Sequence, residues 1–301
     1  MNEEFDLKST EQLASILGNS SETLIEVSNN LKKYFHYKRI RKGNKTRTLT
    51  IPHGKLNDIL KALNKKVLQK VTIPLVIIGG RKKMSIYKNA EIHCGQKVVA
   101  TLDIKDFFPS IGSNRVRHAL LAIGCSEPVS DLMVKLTTCN GRVPLGFSTS
   151  PALANIVLTS MANRFQKLSE RHNLRCSFWF DDITLSGSLR VNRLENLFRK
   201  IVTQEGFLIN KKKSIKFMEN SVHQTVTKLS VNGTKPKVVK EYRRSLRSLL
   251  HRCIILGPKS QTSGCLKKFK RSILGKISFV KSIDEIQGIK LQKQFDKIIW
   301  N

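Results

Sequence analysis

Acidic side chains are scarce in this chain: its 301 residues carry 22 Asp+Glu against 54 Lys+Arg, a formal net charge of +32 and a pI of about 10.2. Such an imbalance makes a positive field that recruits polyanions and gives an affinity that falls steeply with salt. An anionic membrane surface or an acidic protein would satisfy the same charge. Long apolar runs are also missing. The longest candidate, Ile73-Pro-Leu-Val-Ile-Ile-Gly-Gly80, reads as a buried strand or turn, well short of the ~20 residues of a membrane span. The start, Met1-Asn-Glu-Glu-Phe-Asp6, is acidic and lacks the basic-then-apolar layout of a signal peptide, so a cytoplasmic location with no membrane partner is expected. Six cysteines, Cys94, Cys125, Cys139, Cys176, Cys253 and Cys265, are scattered without a CxxC pair. That pattern argues against a zinc site and a disulfide framework and leaves reduced packing residues. A hydrophobic content of 40% is enough for a packed core.

Against this basic background two short acidic clusters stand out, Thr101-Leu-Asp-Ile-Lys-Asp-Phe-Phe-Pro-Ser110 and Phe178-Trp-Phe-Asp-Asp-Ile-Thr-Leu-Ser-Gly187. The apolar, β-branched run Lys97-Val-Val-Ala-Thr-Leu102 predicts a buried strand that ends at Asp103. Residues 176–180 and 183–185 predict two more strands, with Asp181 and Asp182 where the hairpin turns. If the strands are neighbours, three carboxylates meet at one sheet rim. Hard oxygen ligands in that number suit Mg²⁺, which keeps several waters and is commonly shared with substrate phosphates. Two such ions about 3.5–4 Å apart can serve an in-line displacement at phosphorus, and the implied chemistry is nucleotidyl transfer. Asp-Asp in a turn is also ordinary solvated turn chemistry; the order and flanks of both clusters together favour the metal reading.

These motifs resemble the palm of reverse transcriptases, and within them the retron-type bacterial enzymes. Asp103-Ile-Lys-Asp-Phe-Phe108 is similar to the first palm motif, and Trp179-Phe-Asp-Asp182 stands where the family usually has Tyr-x-Asp-Asp. The resemblance implies that Asp103, Asp181 and Asp182 are catalytic and bind two Mg²⁺ ions, for which Mn²⁺ could substitute, with the Ile104 backbone carbonyl as a further ligand. It implies Phe108 as the steric gate against a ribose 2′-OH. Val143-Pro-Leu-Gly-Phe-Ser-Thr-Ser-Pro-Ala-Leu-Ala-Asn155 resembles the segment that supports the incoming nucleotide, which assigns Gly146 to nucleotide binding. Phe207-Leu-Ile-Asn-Lys-Lys-Lys-Ser214 resembles the Asn-x-x-Lys element and places its lysine at Lys213. Asn89-Ala-Glu-Ile-His93 and the Val-Thr-Lys of residues 226–228 resemble two retron signatures, so Asn89, His93, Thr227 and Lys228 are expected to contact RNA. The chain departs from the family at Leu145, where Gln is usual, at Trp179 and Phe180, where Tyr and a small residue are usual, and at Lys228, where Gly is usual.

The expected fold class is α+β, a right-hand polymerase with fingers, palm and a helical thumb. Residues 1–33 are expected to form an N-terminal helical extension, 34–95 the fingers with part of 112–143, 96–232 the catalytic palm and 233–301 the thumb. Ser9-Thr-Glu-Gln12 reads as a capping box, followed by Leu13, Ile16 and Leu17 on one face and Gly18 as a stop. Lys42-Gly-Asn-Lys-Thr-Arg-Thr-Leu-Thr-Ile-Pro52 reads as a basic hairpin bending near Gly43 and Asn44. By resemblance Arg47, assisted by Lys45, contacts the triphosphate; a solvated basic hairpin would read the same way. Ser150-Pro151 predicts an N-cap and a first-position proline ahead of the apolar stripe Leu153, Ile156, Val157, Met161 and Phe165. In the thumb, Tyr242, Leu246, Leu249 and Leu250 form an inner face while Arg243, Arg247 and His251 recur at four-residue spacing, and a second basic helix follows near residues 266–280. Arg243 and Arg247 are expected on a duplex backbone. No internal repeat or low-complexity tail is evident, and a separate RNase H or effector domain is not expected. The resemblance further implies dNTPs as substrates, a structured noncoding RNA as template, an RNA–DNA product, antiphage defence and a separate effector protein. Two other functions fit the same residues: a defence-associated reverse transcriptase with protein-primed or untemplated synthesis, and a noncatalytic RNA-binding scaffold.

Overall fold

The computed structural model describes residues 7–42, 45–210 and 215–300, which divide into two compact units, Met1–Ser85 with Ala100–Phe217, and Ile86–Val99 with Met218–Asn301.

The first unit begins with the helix Thr10–Leu17. Ser9 caps it by accepting from the Gln12 N–H, and Gly18 closes it at φ 72 in the left-handed conformation that glycine adopts without a steric cost. The capping box differs from expectation at one bond, because Gln12 Oε1 accepts from the Lys8 N–H. Leu13 and Leu17, with Leu24 and Val27 of the helix Ser21–Asn29, bury against a core that includes Leu56, Ile59, Leu60 and Leu63 of the helix Gly54–Lys66. Between these helices runs an antiparallel hairpin of β1 (Phe35–Lys42) and β2 (Lys45–Pro52), paired from Phe35 with Pro52 to Lys42 with Lys45. The expected bend at Gly43 and Asn44 lies outside the described residues.

A four-stranded sheet follows, with most of its residues in this unit. Its strands are β3 (Val98–Asp103), β4 (Arg175–Trp179), β5 (Asp182–Gly187) and β6 (Lys216–Glu219), in the order β4-β5-β3-β6. Phe178 of β4 packs against Phe165 of the helix Thr159–Arg171 at 5.7 Å between centroids, and Phe165 meets Phe198 of the helix Glu195–Gln204 at 6.1 Å. These wholly buried rings seat two helices on the sheet and hold its strands in place. The helix Ser150–Val157 starts one residue earlier than its serine suggests. Thr149 is the N-cap, without a side-chain capping bond, and Ser150 turns back to donate to the Pro144 carbonyl at 2.6 Å. The tighter bond to Pro144 ties the helix to the loop before it.

In the second unit, the helix Ile86–Glu91 lies beside β7 (Thr225–Val226) and β8 (Leu229–Ser230), and β9 (Lys237–Val238) completes a three-stranded sheet. The helices Lys240–Ile255, Leu266–Ile283 and Glu285–Phe295 bury Leu246, Leu250, Ile273, Ile277, Val280, Leu291 and Phe295 in one core. Gly288 is required where the last two helices meet, because a Cβ there would overlap the Lys281 backbone. All six cysteines are free, and burial pushes the thiols of Cys125 and Cys139 up to about 11 and that of Cys176 up to about 12.

Gln224, with no exposed surface, joins three backbone segments of this unit. Its amide nitrogen lies 3.0 Å from the Gln96 carbonyl, 3.3 Å from that of Lys97 and 3.0 Å from that of Met218. Gln224→Leu keeps the volume but removes the donor from buried carbonyls, and should cost about 1–3 kcal/mol. Chemical denaturation monitored in this unit should show that loss; a change under about 0.5 kcal/mol, the scale of an ordinary surface substitution, would contradict it.

Candidate active site

β3 is buried along almost its whole length and ends in Asp103, which is 8% exposed. Beyond Asp103 the chain is held from both sides. The Ile104 N–H donates to the Asp181 carbonyl at 2.9 Å. On the other side the Lys105 N–H donates to Leu208 at 2.8 Å, the Asn210 N–H donates to the Asp103 carbonyl at 2.9 Å, and Ile104 bridges Ile209 in antiparallel fashion. The side chain of Asn210 then donates to Asp103 Oδ1 at 2.9 Å. Asn210 thereby orients the carboxylate through both backbone and side chain.

Asp181 and Asp182 arrive on the β4–β5 hairpin. Trp179 pairs with Asp182, so Phe180 and Asp181 form the two-residue connection. Phe180 takes φ 56 at its first position, the kind of positive φ that tight hairpins use to match strand twist. The outer edge of β4 is closed by residues 76–79: Phe178 donates to the Val76 carbonyl at 2.7 Å, and Ile78 and Gly79 donate to the Phe178 carbonyl at 2.9 and 3.0 Å. A Cβ at Gly79 would come within 2.9 Å of the Phe180 nitrogen, so only glycine lets this segment pass under the turn. Buried Asn155 fastens the segment by donating to the Gly79 carbonyl at 2.8 Å.

Gly146, at φ 119, packs its backbone onto Thr50 of β2, whose N–H donates to the Leu145 carbonyl at 2.7 Å. Phe35 and Phe147 flank this junction at 6.4 Å between rings. Half-buried Phe108 follows Asp103 on the short helix Phe107–Ser110, 6.2 Å from the Phe180 ring. Arg47 is exposed on β2 opposite Ile40; Lys45 begins the same strand, but its side chain, like all of Lys213, lies outside the described residues.

The donor set offers only carboxylate oxygens, from Asp103, Asp181 and Asp182, with no sulfur or imidazole among them, and that chemistry fits a hard divalent cation. Among the described residues no three His, Cys, Asp or Glu side chains are close enough to form a metal cage. Ile104 is buried next to Asp103.

The expected RNA-contacting residues all fall in the other unit. Asn89 and His93 are wholly buried, so neither presents surface for RNA. Thr227 and Lys228 form the β7–β8 turn, with φ 45 and 68, and Thr227 donates to the Ile86 carbonyl at 3.2 Å. Arg243 is half-buried and Arg247 exposed on the helix Lys240–Ile255.

Sequence reasoning missed the parts played by Asn210, Gly79, Asn155 and Thr50. Gly79 and Gly80 carried a turn signal, but its partner lies about a hundred residues further on. At Gly146 a positive φ and contact with backbone coincide. Gly146→Ala should therefore lower the melting temperature by several degrees, in line with a loss of about 1–3 kcal/mol for backbone strain in a domain of this size; differential scanning calorimetry showing no shift would contradict the junction with Thr50.

Residues 40–243 match the family model described as Reverse transcriptase (RNA-dependent DNA polymerase). The chain is 27% identical over 270 residues to the retron Ec86 reverse transcriptase of Escherichia coli, covering 88% of this chain and 81% of that protein. It is 27% identical over 312 residues to the retron Mx65 reverse transcriptase of Myxococcus xanthus, covering 95% and 71%. Among solved structures, apo telomerase from Candida tropicalis aligns with a TM-score of 0.50 at 12% identity, over 92% of this chain and 63% of that one, a likeness of fold. The mixed helix-and-sheet architecture is that of the right-hand polymerases. The family match contains both acidic motifs and the clamp around Asp103, and the chain belongs to the reverse transcriptase family as an RNA-directed DNA polymerase of retron type.

Proposed function

We propose that this enzyme copies a structured noncoding RNA into single-stranded DNA that stays associated with RNA, in the cytoplasm and in the service of antiphage defence with a separate effector protein. The observation that supports catalysis most directly is the junction at the end of β3, where one hydrogen bond joins the Asp103 strand to the Asp181 turn and Asn210 orients the Asp103 carboxylate. In this reading residues 34–95 with part of 112–143 act as fingers, 96–232 as palm, 233–301 as thumb, and 1–33 as an N-terminal extension.

Asp103, Asp181 and Asp182, with the Ile104 carbonyl, would hold Mg²⁺, or Mn²⁺ in its place. When bound, such ions supply activation of a primer hydroxyl and stabilisation of the leaving pyrophosphate oxygen. The chain's own residues place the reactants. Arg47, Lys45 and Lys213 take the triphosphate, the flat Gly146 backbone lies beside the incoming nucleotide, and the Phe108 ring occupies the space that a ribose 2′-OH would need. The large positive charge gathers nucleic acid without regard to sequence. Arg243 and Arg247 engage duplex phosphates. The turn of half-buried Thr227 and exposed Lys228 meets folded RNA, and buried Asn89 and His93 act by shaping the unit that presents it. Among the described residues no helix is long and apolar enough to cross a membrane.

Asp103→Asn or Asp181→Asn should abolish divalent-metal-dependent dNTP incorporation while leaving the fold and most RNA binding intact, as read by primer extension beside a filter-binding assay. Undiminished synthesis by either variant would overturn the site. Asn210→Leu leaves all three carboxylates in place but removes the donor to Asp103. It should lower kcat about ten- to a hundredfold, the usual scale for a residue that orients a metal ligand, with a smaller change in KM for the dNTP. Single-turnover kinetics with an unchanged rate would remove Asn210 from that role.

A further inference from the structure

The turn that carries Asp181 also carries an aromatic side chain in a backbone conformation that bulky residues seldom adopt. Phe180 sits at φ 56, an outlier that persists only where the surroundings over-determine it. Those surroundings are specific. The Phe180 ring lies 6.2 Å from that of Phe108 and 5.9 Å from that of Trp179. On a further side it covers Gly80, where a Cβ would come within 3.0 Å of the Phe180 Cε1 and 3.2 Å of its Cζ. Any side chain at position 80 would displace the ring, so the glycine and the phenylalanine form one packing unit.

Phe108 is the next ring in the series and continues to Phe107 at 5.2 Å. Phe107 meets Phe207 at 6.3 Å, and Phe207 lies under the Arg115 guanidinium at 4.2 Å. Phe108 therefore has two aromatic neighbours. Phe107 shares its short helix, whereas Phe180 comes from the catalytic turn. A ring can exclude a hydroxyl only if it does not yield, and close-packed neighbours are what resist its displacement.

We propose that Phe180 is the positioning residue for Phe108 and thereby sets selection between deoxyribose and ribose. It ties the ring that crowds the 2′ position to the turn that bears Asp181 and Asp182, so the obstacle and the reacting centre keep one spacing. The proposal rests on the polymerase reading of Phe108. Without the Phe180 ring, Phe108 can move into the vacated space and a 2′-OH is penalised less.

The test is single-nucleotide incorporation, with kcat/KM measured for a dNTP and the matching rNTP in the full chain and in Phe180→Ala, Phe180→Tyr, Phe108→Ala and the double alanine variant. The preference ratio cancels any loss of active enzyme, so a merely structural defect would not move it. Phe180→Ala should reduce the dNTP preference about three- to tenfold, the scale of one aromatic pair contact, and Phe180→Tyr should keep it. The double variant should be no less selective than Phe108→Ala alone, because both changes act through one ring. An active Phe180→Ala enzyme with the original preference, or losses that add in the double variant, would overturn the proposal while leaving the polymerase reading in place. A parent chain that incorporates no dNTP would overturn both. If Phe180→Ala lacks a folding transition, Phe180→Leu takes its place: it fills part of the volume without a ring and should lose selectivity partially, whereas full selectivity would count against Phe180.

Discussion

The active site depends on the few backbone hydrogen bonds that hold the end of β3. An aspartate at a strand terminus is ordinarily a solvated turn residue. Here the Ile104 N–H is bonded to the Asp181 carbonyl and the Asp103 carbonyl accepts from Asn210. These backbone bonds bring two acidic motifs, separated by some eighty residues of chain, to one rim. The Asn210 amide orients Asp103, the most buried of the three aspartates.

The same economy explains the surroundings. A net charge of +32 makes a field that attracts polyanions with little regard to their sequence. Short-range packing adds three close approaches: Gly79 under the Phe180 turn, Gly80 against the Phe180 ring, and Gly146 on Thr50. Each brings the Phe180–Asp181 turn or the loop around Gly146 against a segment distant in sequence, and each is possible because a Cβ is missing. Asn155 and Ser150, both on the helix Ser150–Val157, fasten two of these segments through the Gly79 and Pro144 carbonyls. One helix thus sets the positions of the turn and the loop together.

Much of this was legible in the chain itself. The β-branched run before Asp103 gave the strand and its end, the strand-like runs 176–180 and 183–185 gave the hairpin, which turns one residue earlier than expected, at Phe180 and Asp181, and the Ser9 and Gly18 signals gave a helix with both caps. What escaped was long-range or depended on competition between local bonds. The Asn210 amide could be read as part of a motif but not as a partner of Asp103, since nothing local joins residues so far apart. Ser150 looked like a cap, yet its hydroxyl found a nearer acceptor at Pro144, and the helix began from Thr149 instead. Asn89 and His93 were assigned to RNA through the resemblance of a short motif, which carries no information on burial. Asn89 is buried on the short helix Ile86–Glu91, which packs beside β7 and β8, a pairing invisible in its six residues.

The central claim is that the carboxylates at the β3 rim form one metal-dependent site that reads an RNA template. Extension of a primer annealed to an RNA of defined sequence, offered one dNTP at a time, tests it most directly. Addition of the complementary nucleotide alone, arrested by a chelator and restored by excess Mg²⁺, is the predicted result. Incorporation that ignores the template base, or that continues unchanged with the metal removed, would contradict it.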